Sequence, residues 1–510
     1  MEIFSIFPSW LLTTILVLFM FSIFRYAQSS TKNGSSVSVP KLPPSPPQLP
    51  IIGNLHHILG KFRHVALWEL SKKYGPIMQF HIGSKPYLVI SSLAMAKQIL
   101  KTHDHIFCSR PLSRATKLLT YNYLDVAFSP HDNHWREMRK IFVSELLGPK
   151  RAKLFKHVLV SETKSMVRSI SLYSSTDVIN LNKLLLATVK GVVCKLAFGE
   201  NYRQQPISGP SWEEMVDETQ IMLGGSIGDS FPWLGRSIDQ LSGWNGKLEK
   251  CFSSIDAYIE SIIDDHQKQT IGELSDDNKD FVHTLIELCS SQNSSGYQLT
   301  KNDMKALIMN VISGGIDTPV VTLVWAMSEI IRNTRVMQKL QSEIRDQMKG
   351  RHKVEELDTT KMTYLCMVVK EALRMHPAVP LLIPHESISH CQIGGYDVFP
   401  GTSALINAWG IARDPSVWGE NATEFYPERF ENYEGDFEMV PFGGGRRTCP
   451  AINTAPVIME FLIANLVCWF DWGVPNGDNN EDLNMEEEGT LVVYKKLPLY
   501  IVLTKNNWGE

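Results

Sequence analysis

The stretch "GGGRRTCPAI", residues 443–452, holds one cysteine between a cluster of glycines and arginines and a proline. A thiolate can ligate a soft metal or a haem iron, and nearby N–H groups and burial tune how strongly it donates electrons. Gly445 and its neighbouring glycines let backbone amides approach the sulfur, and Arg447 can pair with an anionic group. Pro450 is suited to start a helix directly after the ligand. The stretch therefore predicts a ligand site at Cys449.

The other cysteines of the 510-residue chain give no such signal. They stand at positions 108, 194, 251, 289, 366, 391 and 468, with no C-x-x-C pair and no spacing typical of zinc. We expect them to be reduced and buried, which leaves no disulfide framework. The composition, with 44% hydrophobic and 20% charged residues and a net charge of −4, is that of a globular protein and gives no reason to expect nucleic acid as a partner.

The N-terminus predicts a membrane anchor. Residues 3–24 carry no charge, and as a helix they would span about 33 Å, close to the hydrocarbon thickness of a bilayer. Arg25 and Lys32 follow the apolar segment, which by the positive-inside rule places the N-terminus in the lumen and the rest of the chain in the cytosol. A cleaved signal peptide is the alternative, but its apolar core would be shorter and would follow basic residues. We assign residues 1–26 to a retained anchor.

The next segment is a predicted hinge, residues 27–55. It contains "KLPPSPPQLPIIGN" (41–54), whose prolines lack N–H groups and fix their φ, so the run is a stiff extended spacer or, alternatively, a proline-rich ligand for another domain. From residue 56 to 510, helical periodicity dominates and is interrupted by short β-like runs such as "PYLVISS" (86–92). This predicts one large, mainly α domain with a minor β part.

A long helix is predicted over residues 300–333, and its centre is unusual. Pro319 has no N–H to donate to the carbonyl of Gly315, so the helix should open at this turn. Thr318 and Asp317 stand beside the opening and offer a hydroxyl and a carboxylic acid, two groups able to donate protons. A purely structural kink is the alternative.

The residues Phe442, Gly445, Arg447 and Cys449 have the spacing F-x-x-G-x-R-x-C, and with this motif the chain resembles the cytochrome P-450 superfamily of haem-thiolate monooxygenases. The resemblance runs from the N-terminal anchor to the C-terminus and implies haem b, with Cys449 as the axial ligand of the iron. The family usually has glycine where this chain has Ala451, so the haem could be shifted slightly.

Other motifs appear in the order that the family has them. "KEALR" (370–374) and "FYPERF" (425–430) resemble a Glu-Arg-Arg network that locks the haem-binding core, and "WREMR" (135–139) resembles a pair directed toward a haem propionate. The segment with Pro319 resembles the family's acid-alcohol pair, although the family commonly has threonine or serine at that position. By this resemblance the network is formed by Glu371, Arg374 and Arg429, the propionate pair by Trp135 and Arg139, and the proton donors are Thr318 and Asp317.

Substrate-contact regions of the family match "ATKLLTYNYLDVAF" (115–128), "HPAVPLLIPHES" (376–387) and "GTLVVYKKLPLYIV" (489–502), the last of which alternates like a hairpin. On the sequence alone each region is equally typical of core and of pocket. We expect a largely hydrophobic pocket in which two polar side chains orient the substrate. The predicted pocket residues are Asn310, Ser313, Gly314, Val379, Leu381 and Leu491.

The motifs together look like the plant microsomal members of the family. That resemblance implies an endoplasmic reticulum location, dioxygen, and a small lipophilic terpenoid, alkaloid or phenolic substrate. Because the chain has no G-x-G-x-x-G fingerprint and no iron-sulfur cysteine set, NADPH must act through the flavins of a partner reductase in the same membrane. Two alternatives are a haem-thiolate isomerase or dehydratase that needs no reductant, and a haem sensor or carrier without enzymatic activity.

Overall fold

A computed structural model describes residues 40–505 apart from 200–211, 232, 269–278, 291–296, 349–357, 434, 436–439 and 476–478. The predicted anchor (1–26) and the first part of the predicted hinge lie outside the described residues, so both stay predictions. The described chain is mainly helical with small sheets, which confirms the fold class expected from the hydrophobic periodicity.

Helices of very different lengths account for most of the described chain. In chain order they are α1 (Arg63–Tyr74), α2 (Leu93–Lys97), α3 (Arg114–Leu119), α4 (Asn133–Ile141), α5 (Ala152–Ser171), α6 (Leu181–Phe198), α7 (Trp212–Leu223), α8 (Gly235–Leu241), α9 (Trp244–Lys268), α10 (Phe281–Ser290), α11 (Lys301–Gly315), α12 (Asp317–Arg332), α13 (Thr334–Gln347), α14 (Thr363–Met375), α15 (Ala408–Ile411), α16 (Pro415–Trp418) and α17 (Ala455–Trp469).

The strands are short. They are β1 (Ile77–Ile82), β2 (Lys85–Ile90), β3 (Ile179–Asn180), β4 (His385–Glu386), β5 (Cys391–Ile393), β6 (Tyr396–Val398), β7 (Ser403–Ile406), β8 (Phe470–Gly473), β9 (Glu487–Gly489), β10 (Val493–Lys495) and β11 (Tyr500–Lys505). One sheet has the order β1-β2-β7-β4 and another β3-β11-β8, while β5-β6 and β9-β10 are antiparallel pairs. The predicted β-like runs at 86–92 and 489–502 therefore contain strands.

Helices α11 and α12 together form a rod through the middle of the protein. A capping box starts it, because Thr300 Oγ1 accepts from Asp303 N at 3.2 Å and the Asp303 carboxylate accepts from Thr300 N at 2.8 Å. Among the described residues, 301–332 is the helical stretch that is long and apolar enough to cross a membrane, but 72% of its most apolar window is buried inside the protein. Helices α6, α14 and α17 pack around α12 in the largest hydrophobic cluster.

The described end of the proline-rich hinge is docked on the globular body. Gln79 N, in β1, donates to Pro44 O at 2.8 Å, and His81 N, also in β1, donates to Asn54 Oδ1 at 2.7 Å. The prolines cannot donate backbone hydrogen bonds, but their carbonyls still accept. The spacer is therefore joined to the β1 edge by its carbonyls.

Candidate functional site

A cavity of about 690 Å³ lies between the rod formed by α11 and α12 and the loop that carries Cys449. Gly314 and Thr318 line it from the rod, and Phe442 and Arg447 line it together with Cys449 from the loop. The structure thus brings the predicted ligand and the predicted hydroxyl donor to opposite walls of one cavity.

The loop that carries Cys449 is folded back on itself. Cys449 N donates to Phe442 O at 2.9 Å, and Gly445 has a φ of +64°, in the left-handed region. A Cβ at position 445 would stand 2.2 Å from Leu100 O, so both the backbone angle and the close approach require glycine. Gly445 does not line the cavity and acts by placing the loop.

The environment of the Cys449 thiol combines burial with two stabilising contacts. Burial raises the pKa of Cys449, whereas the backbone N–H of Ala451 and the charge of Arg139 lower it. The predicted helix start at Pro450 is wrong: α17 begins at Ala455, after turns in which the carbonyl of Ala451 accepts from the backbone N–H of residues 454 and 455. The side chain of Ala451 lines the cavity and packs against the largest hydrophobic cluster.

Three buried or half-buried arginines, Arg110, Arg139 and Arg447, line the cavity together with the buried His385. All hydrogen bonds that these arginines make to described residues go to backbone carbonyls, for example from Arg447 Nη2 to Ser129 O at 2.7 Å. Burial lowers the pKa of Arg447 to about 10, and burial together with the charge of Arg110 lowers that of His385 to about 3. The three arginines are therefore compensated only in part, by the charge of the buried Asp125, which acts on Arg110 and Arg447.

These residues fit a haem. Like charges held together in a low-dielectric interior are unfavourable unless an anion compensates them, and the carboxylates of haem propionates are anions that arginines bind well. The thiol of Cys449 opens onto the same cavity and is a haem-iron ligand by its chemistry. Trp135 does not line the cavity: its Nε1 donates to Val126 O at 2.9 Å and its ring stacks 4.1 Å from the guanidinium of Arg447. Trp135 therefore packs against Arg447 on the side that faces away from the cavity.

The predicted opening of the long helix is present at the cavity wall. Helix α11 ends at Gly315, α12 begins at Asp317, and Ile316 between them has φ −102° and ψ −55°. Thr318 Oγ1 donates to Gly314 O at 2.8 Å, and Pro319 also lines the cavity. Because proline lacks an N–H, the turn is held less tightly than an ordinary helical turn.

Asp317 faces away from the cavity. Its Oδ2 accepts a hydrogen bond from the hydroxyl of Tyr494, in β10, at 3.0 Å, and the residue is only 8% exposed. Burial raises the pKa of Asp317 to about 6; the charge of Asp217 adds to this rise, and the hydrogen bond from Tyr494 opposes it. The structure therefore separates the predicted pair, with Thr318 on the cavity wall and Asp317 on the outer face of the helix.

The predicted network of Glu371, Arg374 and Arg429 is formed. Glu371 and Arg374 are fully buried and make two hydrogen bonds, of 2.7 and 2.8 Å, and Arg429 Nε lies 3.0 Å from Glu371 Oε1. The guanidinium groups also donate to the carbonyls of Ala422 and Trp418. The network thus fastens α14 to the segment that precedes the Cys449 loop.

The apolar walls match the prediction with one correction. Val379 and Leu491 line the cavity, but Leu381 does not, because it packs against a separate hydrophobic cluster that includes residues 78 and 80 of β1. Its neighbours Leu382 and Ile383 form the wall instead. Leu382 has a φ of +52°, which turns this short segment so that consecutive side chains share the wall.

Both predicted polar orienters lie at the cavity, but their hydrogen bonds are already used within the protein. Ser313 Oγ donates to Met309 O at 2.8 Å, within its own helix. Asn310 Oδ1 accepts from Val126 N at 2.7 Å, and its Nδ2 donates to Asp125 Oδ2 at 3.0 Å. The Asn310 amide is thus held by the segment that contains residues 125 and 126, whereas the Ser313 hydroxyl keeps lone pairs that can accept a hydrogen bond.

Sequence reasoning missed several residues of the site: Arg110, Asp125, His385 and Tyr494. Their partners are far away along the chain; Tyr494 is 177 positions from Asp317, and the Arg110 guanidinium binds carbonyls 273 and 274 positions away. Local spacing carries no signal for such contacts.

Comparisons with known proteins agree with this geometry. A sequence model of the family described as cytochrome P-450 matches residues 43–502. Parthenolide synthase of Tanacetum parthenium is 51% identical over 98% of this chain and 99% of its own length, and eupatolide synthase of Helianthus annuus is 45% identical over 99% of both chains. The 2-methylbutanal oxime monooxygenase of Manihot esculenta is 37% identical over 98% of both chains. A zebra fish cytochrome P-450 structure with progesterone superimposes with a TM-score of 0.72 at 22% identity, over 86% of this chain and 99% of that one.

Proposed function

This chain belongs to the cytochrome P-450 family and is an oxidoreductase of the monooxygenase class, and from that premise we propose that it oxidises a small lipophilic plant metabolite with dioxygen and with NADPH supplied through a reductase. The observation that carries the proposal is the cavity that Cys449, the arginine group and Thr318 share. Because two relatives are named parthenolide synthase and eupatolide synthase, those two compounds are the first products to look for. The substrate classes are terpenoids, alkaloids and phenolics.

The walls of the cavity support a lipophilic substrate. Beyond the arginine group they are largely aliphatic and aromatic, and the polar side chains on the rod are already hydrogen-bonded within the protein. A buried polar group on a ligand would find few free partners there, so binding favours molecules that contribute apolar surface. The aliphatic residues of the walls include Val193, Leu196, Leu223, Val379, Leu382 and Leu491.

The residues around Cys449 would hold a haem and set its properties. Cys449 would ligate the iron, and the arginine group would bind the propionates. A bound haem would supply the iron that activates dioxygen. The Ala451 N–H at the sulfur would moderate the electron donation of the thiolate, because a hydrogen bond to a ligand sulfur tunes its redox properties.

Thr318 and Asp317 would move protons across the opened turn. The Thr318 hydroxyl proton now points to Gly314 O and can turn toward the cavity, because serine and threonine hydroxyls rotate to suit their partners. With a pKa of about 6, Asp317 can take up and release a proton near neutral pH, which a carboxyl with an ordinary pKa does poorly. We assign Thr318 to delivery at the cavity and Asp317 to proton supply from the outer face of the helix.

Electrons would come from a reductase that carries flavins, anchored like this chain in the endoplasmic reticulum membrane, with both catalytic domains in the cytosol. Arg139 of helix α4 lines the cavity, whereas Arg136 and Lys140 of the same helix are exposed to solvent. Such charges suit an acidic partner and act mainly on the rate of association. Reversing both charges should raise the apparent Michaelis constant for the reductase, and an unchanged value would remove them from the interface.

Mass spectrometry tests the proposed function. Membranes that contain this protein and a plant reductase are incubated with terpenoids, alkaloids and phenolics, with and without NADPH, beside membranes with the Cys449→Ser variant. An NADPH-dependent gain of one oxygen or loss of two hydrogens, absent from the variant, supports the proposal. Conversion that does not depend on NADPH would instead indicate a haem-thiolate isomerase or dehydratase.

A further inference from the structure

Asn310 and Asp125 join the central rod to the segment formed by residues 125–128. Val126 N donates to Asn310 Oδ1 at 2.7 Å, and Asn310 Nδ2 donates to Asp125 Oδ2 at 3.0 Å. Both ends of the Asn310 amide are therefore used by the same segment. The contact connects positions 185 residues apart, and Asp125 is fully buried.

Asp125 also organises the segment itself. Its carboxylate accepts from the backbone N–H groups of Ala127 at 2.9 Å and Phe128 at 3.0 Å, in addition to the amide of Asn310. A buried carboxylate is tolerated only when hydrogen bonds compensate for its lost hydration. Loss of the Asn310 amide therefore leaves a buried charge with one donor fewer.

The segment held by this pair is a wall of the cavity. Val126, Ala127 and Phe128 all line it. On the other side of the segment, Arg110 Nε donates to Ala127 O at 3.0 Å, and Arg447 Nη1 lies 3.4 Å from Val126 O. The wall is thus fastened to the arginine group on one side and to the rod on the other.

The three residues from 121 to 123, which lie just before the segment, have a strained backbone. Tyr121, Asn122 and Tyr123 have φ values of 53°, 68° and 63°, three successive non-glycine residues in the left-handed region. This region is sterically unfavourable for residues with a Cβ, which comes too close to the following carbonyl oxygen. Contacts of the turn itself compensate in part, since the hydroxyls of Tyr121 and Tyr123 donate to Asp256 Oδ1 and Ser113 O, both at 2.8 Å. Directly after the turn, the Asp125–Asn310 pair ties the chain to the rod.

We propose that Asn310 and Asp125 are positioning residues that set the shape of the cavity above the Cys449 loop and thereby determine which ligands fit. The proposal deepens the proposed function, because it rests on this cavity being the substrate site. It also gives Asn310 a role other than contact with the substrate, because its amide binds residues 125 and 126 and so fixes the position of the wall.

Two iron-binding probes of different size test the proposal on the full-length holoenzyme. Imidazole needs only access to the iron, whereas the phenyl ring of 1-phenylimidazole must also fit against the wall. Both dissociation constants are measured by optical titration. Because the wall moves when its tie is lost, Asn310→Ala should weaken binding of 1-phenylimidazole about tenfold, the equivalent of one charged hydrogen bond. Binding of imidazole should change by less than about twofold.

Exchanging the two side chains provides the rescue. In the double variant Asp125→Asn/Asn310→Asp, the amide placed at position 125 can donate to the carboxylate placed at position 310, with no change of net charge. Val126 N and Phe128 N keep an acceptor, whereas Ala127 N, which donates to Asp125 Oδ2, loses its own. Asn310→Asp alone places two carboxylates together and should show at least the defect of Asn310→Ala. The exchange should restore the tie across the pair but not the Ala127 contact, so the ratio of the two dissociation constants should lie between those of Asn310→Asp and the original protein.

The control is Ser313→Ala, because Ser313 also lines the cavity from the rod but its hydroxyl binds only within its own helix. It should leave the ratio of the dissociation constants unchanged. The proposal is overturned if Asn310→Ala leaves that ratio unchanged, whether it weakens both probes equally or neither. It is also overturned if the ratio in the exchange variant is no closer to that of the original protein than the ratio in Asn310→Asp. None of these results requires the natural substrate or turnover, so they are independent of the test of the proposed function, which would fail separately if NADPH supported no oxidation.

Discussion

Replacing Asp317 with asparagine should make the protein more stable at alkaline pH while it impairs proton supply. The carboxyl is 8% exposed, and burial raises its pKa from 3.8 to about 6. Since folding raises this pKa, the ionised carboxyl destabilises the folded state wherever it is charged. Asparagine removes the charge and keeps an oxygen that accepts the hydrogen bond from Tyr494.

The size and pH range of the effect follow from the shift. At about 1.4 kcal/mol per pKa unit, the ionised Asp317 lowers the free energy of unfolding by about 3 kcal/mol at pH 8. The same linkage gives roughly half as much at pH 5 and nothing well below pH 3.8. Asp317→Asn should therefore gain about 3 kcal/mol at pH 8 and about half of that at pH 5.

The assay is thermal and denaturant unfolding of the detergent-solubilised full-length holoenzyme at pH 5 and pH 8, followed by circular dichroism. Asp280→Asn is the control of opposite sign: the buried Asp280 accepts from His266, whose contact helps to lower its pKa to about 2, so this variant should lose stability at both pH values. The reasoning is refuted if Asp317→Asn is no more stable than the original protein at pH 8, or if its gain is the same at both pH values.

Three further predictions concern the site and its support. Thr318→Ala should keep haem and ligand binding but lower the yield of product per NADPH consumed; fully coupled turnover would remove Thr318 from proton delivery. Glu371→Gln breaks a fully buried ion pair and should lower the free energy of unfolding by about 3–5 kcal/mol, whereas Glu69→Gln, in a pair that is more than half exposed, should change it by less than about 1 kcal/mol. Gly445→Ala should lose haem content, because a Cβ would stand 2.2 Å from a backbone oxygen. The control Gly401→Ala should retain haem, because its φ is also positive but the space around it is open. Equal haem content in the two variants would show that the close approach at position 445 does not affect haem binding.

The features that were predicted correctly depend on contacts between residues close together in the chain. The Cys449 loop folds on itself within eight residues, from the carbonyl of Phe442 to the amide of Cys449. Glu371 and Arg374 stand three apart on one helix, so their pairing follows from helical geometry. Likewise the effect of Pro319 acts on the carbonyl four residues before it.

The direction in which each side chain points was decided by the tertiary structure. Asp317 and Thr318 are consecutive on a helix and so point about 100° apart, which means that their spacing alone does not direct both side chains into one cavity. Packing of α12 against β10 turned Asp317 toward Tyr494 and left Thr318 at the cavity. The same holds for Leu381, which a turn in the backbone directs to a neighbouring cluster.

The sequence by itself determined the helical class of the fold, the turn of the Cys449 loop, the opened helix and the Glu371 network, because each depends on residue types at short spacing. Tertiary structure alone decided that Asn310 holds a wall, that Arg110 joins Arg139 and Arg447, and that Asp317 lies outside the cavity. The physical reason is that these outcomes depend on which distant segments meet across the core, and local spacing does not encode that.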